Sequence, residues 1–104
     1  MTWHRAAALE DLENRHVVGI EIGETPVAIY RLKDGYFATH NICTHQHALM
    51  SDGYVEDGCV ECPLHQAIFD IRSGEALEGP AREALKTYPV KIENGAIFVD
   101  LATA

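Results

Sequence analysis

The segment 43–65, CTHQHALMSDGYVEDGCVECPLH, opens on Cys43-Thr44-His45 and closes on Cys62-Pro63-Leu64-His65, two clusters separated by sixteen residues. Each cluster offers one thiolate and one imidazole. Structural zinc sites usually space their paired ligands by about two to four residues. Cys43 and His45 have a single residue between them, which is tight for two ligands on one tetrahedral ion. The demand relaxes if each loop sends its cysteine to one metal and its histidine to a second, as a binuclear iron–sulfur centre allows. A zinc ion on the same four side chains is a competing reading, and so are two unrelated loops that each hold a Cys and a His by chance.

Working outward from this segment, the chain reads as short strands divided by turn dipeptides. Asp57-Gly58 separates Gly53–Glu56 from Cys59–Cys62, a hairpin signal. His16–Ile22 and Pro26–Leu32 are rich in Val and Ile, with Gly23-Glu24-Thr25 between them, and Asp34-Gly35 precedes Tyr36–His40. Asn94-Gly95 divides Tyr88–Ile92 from Ala96–Leu101, where Val90, Ile92, Ile97, Val99 and Leu101 alternate. Arg5 to Asn14 alone has helical propensity and is too short to hold a helix unaided. These signals predict an all-β chain, a small antiparallel sandwich or barrel, with both Cys/His clusters on loops at strand ends.

Length and composition set limits. The 104 residues, 47% of them hydrophobic, suit one domain with a modest core. Sixteen acidic against eight basic residues give a formal charge of −8, which argues against a nucleic-acid partner and an anionic membrane surface. The same charge favours transient encounters with basic docking patches. No segment reaches the roughly 18 apolar residues that span a bilayer, and Ala6 to Leu9 is too short for a secretory core. Three cysteines without an export signal predict a reducing, cytoplasmic setting. Cys59, the third, reads as a small buried hydrophobe on a strand and has no assigned role.

The pattern Cys-x-His, sixteen residues, Cys-x-x-His resembles the Rieske iron–sulfur family, and most of the chain is similar to its soluble ferredoxins, which feed multicomponent oxygenases. Ala38-Thr39-His40-Asn41-Ile42 and Ser51-Asp52-Gly53-Tyr54 flank the first pair in the family's order. Phe69-Asp70, Ser73-Gly74 and Gly79-Pro80-Ala81 follow the second. The resemblance implies one 2Fe–2S cluster, with Cys43 and Cys62 on one iron and His45 and His65 on the other. It implies a Rieske fold in which roughly residues 41–82 form a cluster-binding subdomain inserted in the β base. Gly79 and Pro80 would belong to a loop covering the cluster, and Leu49, Met50, Leu64 and Ile68 would pack the subdomain. His45 and His65, with their free ring nitrogens, and Gln46 and His47 would lie near the tip as partner contacts. Gln66 departs from a glycine common after the second ligand, while His4, His16 and His40 carry no expected metal role.

The resemblance also bears on the potential. Family members of high potential carry a third cysteine in each loop; the matching positions here are Ala48 and Leu64. They also aim serine and tyrosine hydroxyls at the cluster sulfurs, where this chain has Ala67 and Phe69. Without those donors the reduced cluster is less stabilised, so the expected potential lies toward the low end of roughly −150 to +300 mV. The imidazole ligands should also make it fall as pH rises through their titration. The expected role is a one-electron carrier between a flavin-containing reductase and the Rieske oxygenase of an aromatic-ring-hydroxylating dioxygenase system. The chain has no dinucleotide fingerprint and no facial triad of two His and a carboxylate, so it is not expected to be catalytic alone. The alternatives are a small subunit of a larger reductase, such as nitrite reductase, and a zinc-binding module.

Overall fold

The computed structural model describes residues 2–43, 48–63, 67–79 and 83–101. These form three antiparallel sheets. A four-stranded sheet, order β2-β3-β4-β9, comprises Val17–Ile22, Thr25–Leu32, Gly35–His40 and Thr87–Tyr88. On one side lies a three-stranded sheet, order β1-β11-β10, of Trp3–Ala8, Ala96–Asp100 and Val90–Glu93. A second four-stranded sheet runs β5-β6-β7-β8: Tyr54–Glu56, Cys59–Glu61, Ile68–Asp70 and Ala76–Glu78. Its strands all fall between β4 and β9 in the chain.

Strand β3 explains the layering. Its run Val27-Ala28-Ile29-Tyr30 is apolar without alternation and fully buried, as a strand covered on both faces must be. Val27 and Ile29 pack with Ala7, Leu12, Ile97 and Val99 of the first small sheet and its turn. Ala28 and Tyr30, one residue out of phase, pack with Met50, Val60, Phe69 and Ile71 on the other side. Each Val, Leu, Ile, Met or Phe among them contributes about 1.5–3 kcal/mol by leaving water. The Tyr30 hydroxyl finds its partner at 2.8 Å in Thr39 Oγ1, which itself donates to the His40 carbonyl at 2.9 Å, so Tyr30 is the donor. Burial pushes the Tyr30 phenol well above its ordinary range.

Two turns follow local rules closely. Asp57 and Gly58 have φ of 54° and 76°, and Asn94 and Gly95 have 50° and 77°. Positive φ at both central residues is what two-residue hairpins with right-handed strand twist require. Elsewhere the pairing differs from expectation. Gly35 opens β4 opposite Leu32, so the turn is Lys33-Asp34 rather than Asp34-Gly35. The expected strand Tyr88–Ile92 is two strands in different sheets. Pro89, with no N–H for a ladder, marks the crossing.

The helical propensity of Arg5–Asn14 forms no α-helix, as its shortness led one to expect. Residues 3–8 pair antiparallel with β11, Trp3 opposite Asp100 and Ala8 opposite Ala96, with a bulge between Arg5 and Ala7. Only Leu9–Leu12 turn, as a short 3-10 segment whose Ala8 N–H donates to the Asp11 carboxylate at 2.9 Å. Edge pairing and burial of Ala7 and Leu12 outweigh a propensity that was worth only tenths of a kcal/mol per residue.

Candidate metal centre

Two loops occupy equivalent places. The Cys43 N–H donates to the Ala48 carbonyl at 2.9 Å, and the Cys62 N–H donates to the Ala67 carbonyl at 2.7 Å. Each bond closes a six-residue loop that starts at a cysteine and ends at an alanine. Behind each, the ladder continues: Ile42 bridges Leu49 in the first, and Glu61 pairs with Ile68 in the second. The cysteines are 4% and 1% exposed and belong to one buried cluster that also contains Ala48, Ala67, Met50 and Phe69. Two thiols brought into one apolar core, each at the root of a loop, suit an inner metal that is shielded from water. Ligands of a soft, thiolate-binding metal are what this donor set offers. No disulfide links Cys43 and Cys62.

The imidazoles of His45 and His65 lie outside the described residues, as do Gln46, His47, Leu64, Gln66, Pro80 and Ala81. Gly79 is described: it is exposed, with φ of 91°, and begins the segment expected to form the cover. Further along, the Leu85 N–H donates to the Gly74 carbonyl at 2.7 Å and the Leu85 side chain is buried.

The flanking residues prove to be supports. Asn41 is 4% exposed and holds the first loop from three sides. Its Oδ1 accepts from the Ser51 N–H at 2.8 Å, its Nδ2 donates to Ser51 Oγ at 3.1 Å, and its own N–H donates to the Pro26 carbonyl at 3.0 Å. The Met50 N–H returns to the Asn41 carbonyl at 2.6 Å. Asp70 does similar work after the second loop. Its Oδ1 accepts from the N–H groups of Arg72 and Ser73, at 2.9 and 3.0 Å, and its carbonyl accepts from Gly74. Nothing local in the sequence marks Asn41 as a clamp, because its partner lies ten residues on.

Several expectations need correction. Leu49 is 44% exposed rather than packed, since Ala48 and Met50 on either side point inward and a period of two sends Leu49 out. Ile68 is only half-buried for the same reason, standing between the buried Ala67 and Phe69; Met50 is buried as expected. Cys59 is on strand β6 but half-exposed, not buried. Its partial burial, with the carboxylates of Asp70 and Asp57, pushes the thiol above its ordinary range, so it is no activated thiolate. His4 and His40 lie on strands and His16 is exposed. Burial and the Lys86 charge hold His40 below its usual value.

The sequence profile of the Rieske 2Fe-2S domain matches residues 2–89. The ferredoxin component of the naphthalene 1,2-dioxygenase system of Pseudomonas putida is 45% identical over 100 residues, covering 96% of both chains. Among solved structures, the Sphingomonas yanoikuyae B1 ferredoxin superposes with a TM-score of 0.89 at 33% identity, over 95% of this chain and 98% of that one. A complex of reduced oxygenase with oxidised ferredoxin in carbazole 1,9a-dioxygenase matches with a TM-score of 0.85 at 28% identity, over 93% and 91%. The chain belongs to the Rieske 2Fe–2S family. Within it, this is a ferredoxin: an electron carrier built around a Rieske-type cluster, not a catalyst in its own right.

Proposed function

We propose that Cys43 and Cys62 hold the inner iron and His45 and His65 the outer iron, in a cluster-binding unit of about residues 41–82. In this reading the chain passes single electrons from a flavin-containing reductase to the terminal oxygenase of an aromatic-ring-hydroxylating system in the cytoplasm. The observation that carries it is the matched pair of loops, each closed by a Cys N–H bond to an alanine five residues on, with both thiols in one core. The likeness to dioxygenase ferredoxins, over nearly the whole of both chains, supports the oxygenase as acceptor. When bound, the cluster supplies reversible one-electron chemistry.

The residues around it do the rest. The cysteines exclude water from the inner side because they are nine-tenths or more buried. Ala67 and Phe69, both fully buried, offer no hydroxyl to a cluster sulfur. Fewer donors to the sulfurs leave added negative charge less stabilised, which favours a low potential. In this reading Gln46 and His47, which follow a ligand in the chain, serve as partner contacts, and Gly79 and Pro80 belong to the cover.

The test is electron paramagnetic resonance of the dithionite-reduced protein, with His45→Cys and His65→Cys beside it. The expected parent spectrum has the low average g value of a mixed sulfur and nitrogen ligand set, moving toward that of an all-thiolate cluster in the variants. A parent spectrum already of the all-thiolate type, or a colourless zinc protein, would remove the assignment.

A further inference from the structure

The β5–β8 sheet has one face turned to the core and one left open. Its pairing register sorts the side chains. Val55, Val60, Phe69 and Ala76 pack inward. The opposite face carries a rung in which Tyr54 lies across from Glu61, Glu61 from Ile68, and Ile68 from Glu78. A second rung behind it places Glu56 across from Cys59 and Cys59 from Asp70. Tyr54 is 62% exposed, and Leu77, beside Glu78 at the bulge, is 45% exposed. Such a face is an aromatic and aliphatic stripe set among carboxylates.

Charge on this face is uneven. Arg72 stands near the Asp70 and Cys59 corner, tied to Asp34 by two hydrogen bonds. Among the described residues, Glu56, Glu61 and Glu78 take part in no ion pair. The uncompensated charge therefore spans both rungs, with Glu61 and Glu78 on the first, next to the apolar side chains, and Glu56 on the second. The first rung also sits one step from the Cys62–Ala67 bond, since Glu61 precedes Cys62 and Ile68 follows Ala67. At about 3.4 Å per residue along a strand, a protein seated there is beside the root of the second loop.

We propose that this outer face, centred on Tyr54, Glu61, Ile68 and Glu78 with Glu56 behind, is a docking surface for a redox protein. The matching patch on that partner is rich in lysine and arginine around an apolar centre. Two observations select this occupant: the carboxylates are complementary to cations only, and the face is continuous with the loop that holds a thiol. Opposite charge raises the encounter rate, and apolar contact between aromatic and aliphatic side chains holds the pair briefly. The inference rests on the electron-carrier reading above.

Cytochrome c, a basic one-electron acceptor, is the probe. Its reduction by the dithionite-reduced holoprotein is followed by stopped flow across ionic strength. The triple variant Glu56→Gln/Glu61→Gln/Glu78→Gln should slow the second-order rate about tenfold at low salt and flatten its salt dependence. Glu10→Gln/Glu13→Gln/Glu93→Gln removes equal charge near the opposite sheet and should change the rate less than about twofold. Tyr54→Ser should lower the rate that persists at high salt. Equal effects from the two triple variants, or none from the first, overturn the proposal. So does loss of a parent dimer in the face variant by sedimentation velocity, which would make the occupant a second copy. The resonance spectrum of each variant separates the two levels. An absent mixed-ligand signal in the parent ends the carrier reading and the docking face with it, whereas a normal signal with indifferent rates ends the docking face alone.

Discussion

Replacing Asn41 by alanine tests whether the first loop is held from behind. The substitution removes the acceptor of the Ser51 N–H, at 2.8 Å, and the donor to Ser51 Oγ, at 3.1 Å. A buried N–H left without an acceptor costs about 1–3 kcal/mol, and an ordinary lost hydrogen bond about 0.5–1.5 kcal/mol. Ser51 is only half-buried, so water reaches part of the gap, and about 2 kcal/mol is expected in total. Space is not the problem: Gly19 lies against this pair so closely that a Cβ there would sit 2.7 Å from Asn41 Nδ2, and removing the amide relieves rather than adds crowding. Ser51→Ala keeps its backbone donor paired and strands only Nδ2, for about 1 kcal/mol. Cluster release makes unfolding irreversible, so the comparison belongs to rates. If the Cys43–Ala48 loop must open before the metal leaves, about 2 kcal/mol accelerates bleaching of the visible absorption some 30-fold, and about 1 kcal/mol about fivefold. The resonance spectrum before bleaching should be unchanged. A bleaching rate for Asn41→Ala within about twofold of the parent, or a Ser51→Ala rate equal to it, would refute the clamp.

Two further outcomes are expected. Gly74 has φ of 79° and no room for a Cβ against the Leu85 carbonyl, so Gly74→Ala should lower the apparent melting temperature by clearly more than Gly95→Ala; Gly95 shares the φ, at 77°, but faces open space and costs only about 1–2 kcal/mol. Equal losses in calorimetry at one scan rate would show that the contact with residue 85 does not matter. His40, held below its ordinary range by burial and by Lys86, gives a signed pH effect. Below about pH 6.5 the unfolded chain takes up a proton that the folded chain resists, so this contribution is complete above that value and is lost as pH falls. In His40→Gln the melting temperature should therefore fall less steeply between pH 6.5 and 5 than in the parent, and parallel slopes would count against the assignment.

What the sequence determined by itself was local. The spacing of Cys43, His45, Cys62 and His65 is a pattern along one chain, and it was enough to point to a mixed thiolate and imidazole centre. Asp57-Gly58 and Asn94-Gly95 set two hairpins because only certain residues tolerate positive φ. Tertiary structure decided the rest, through partners distant in sequence. Trp3–Ala8 is a strand because β11, far along the chain, lies beside it, Trp3 opposite Asp100 and Ala8 opposite Ala96. Asn41 became a support because burial made its two hydrogen bonds to Ser51 matter. Leu49 and Ile68 turned outward because the buried neighbours on each side fixed their phase. Which side chains share the outer face of the β5–β8 sheet follows from register, and register is a property of paired strands that no single strand contains.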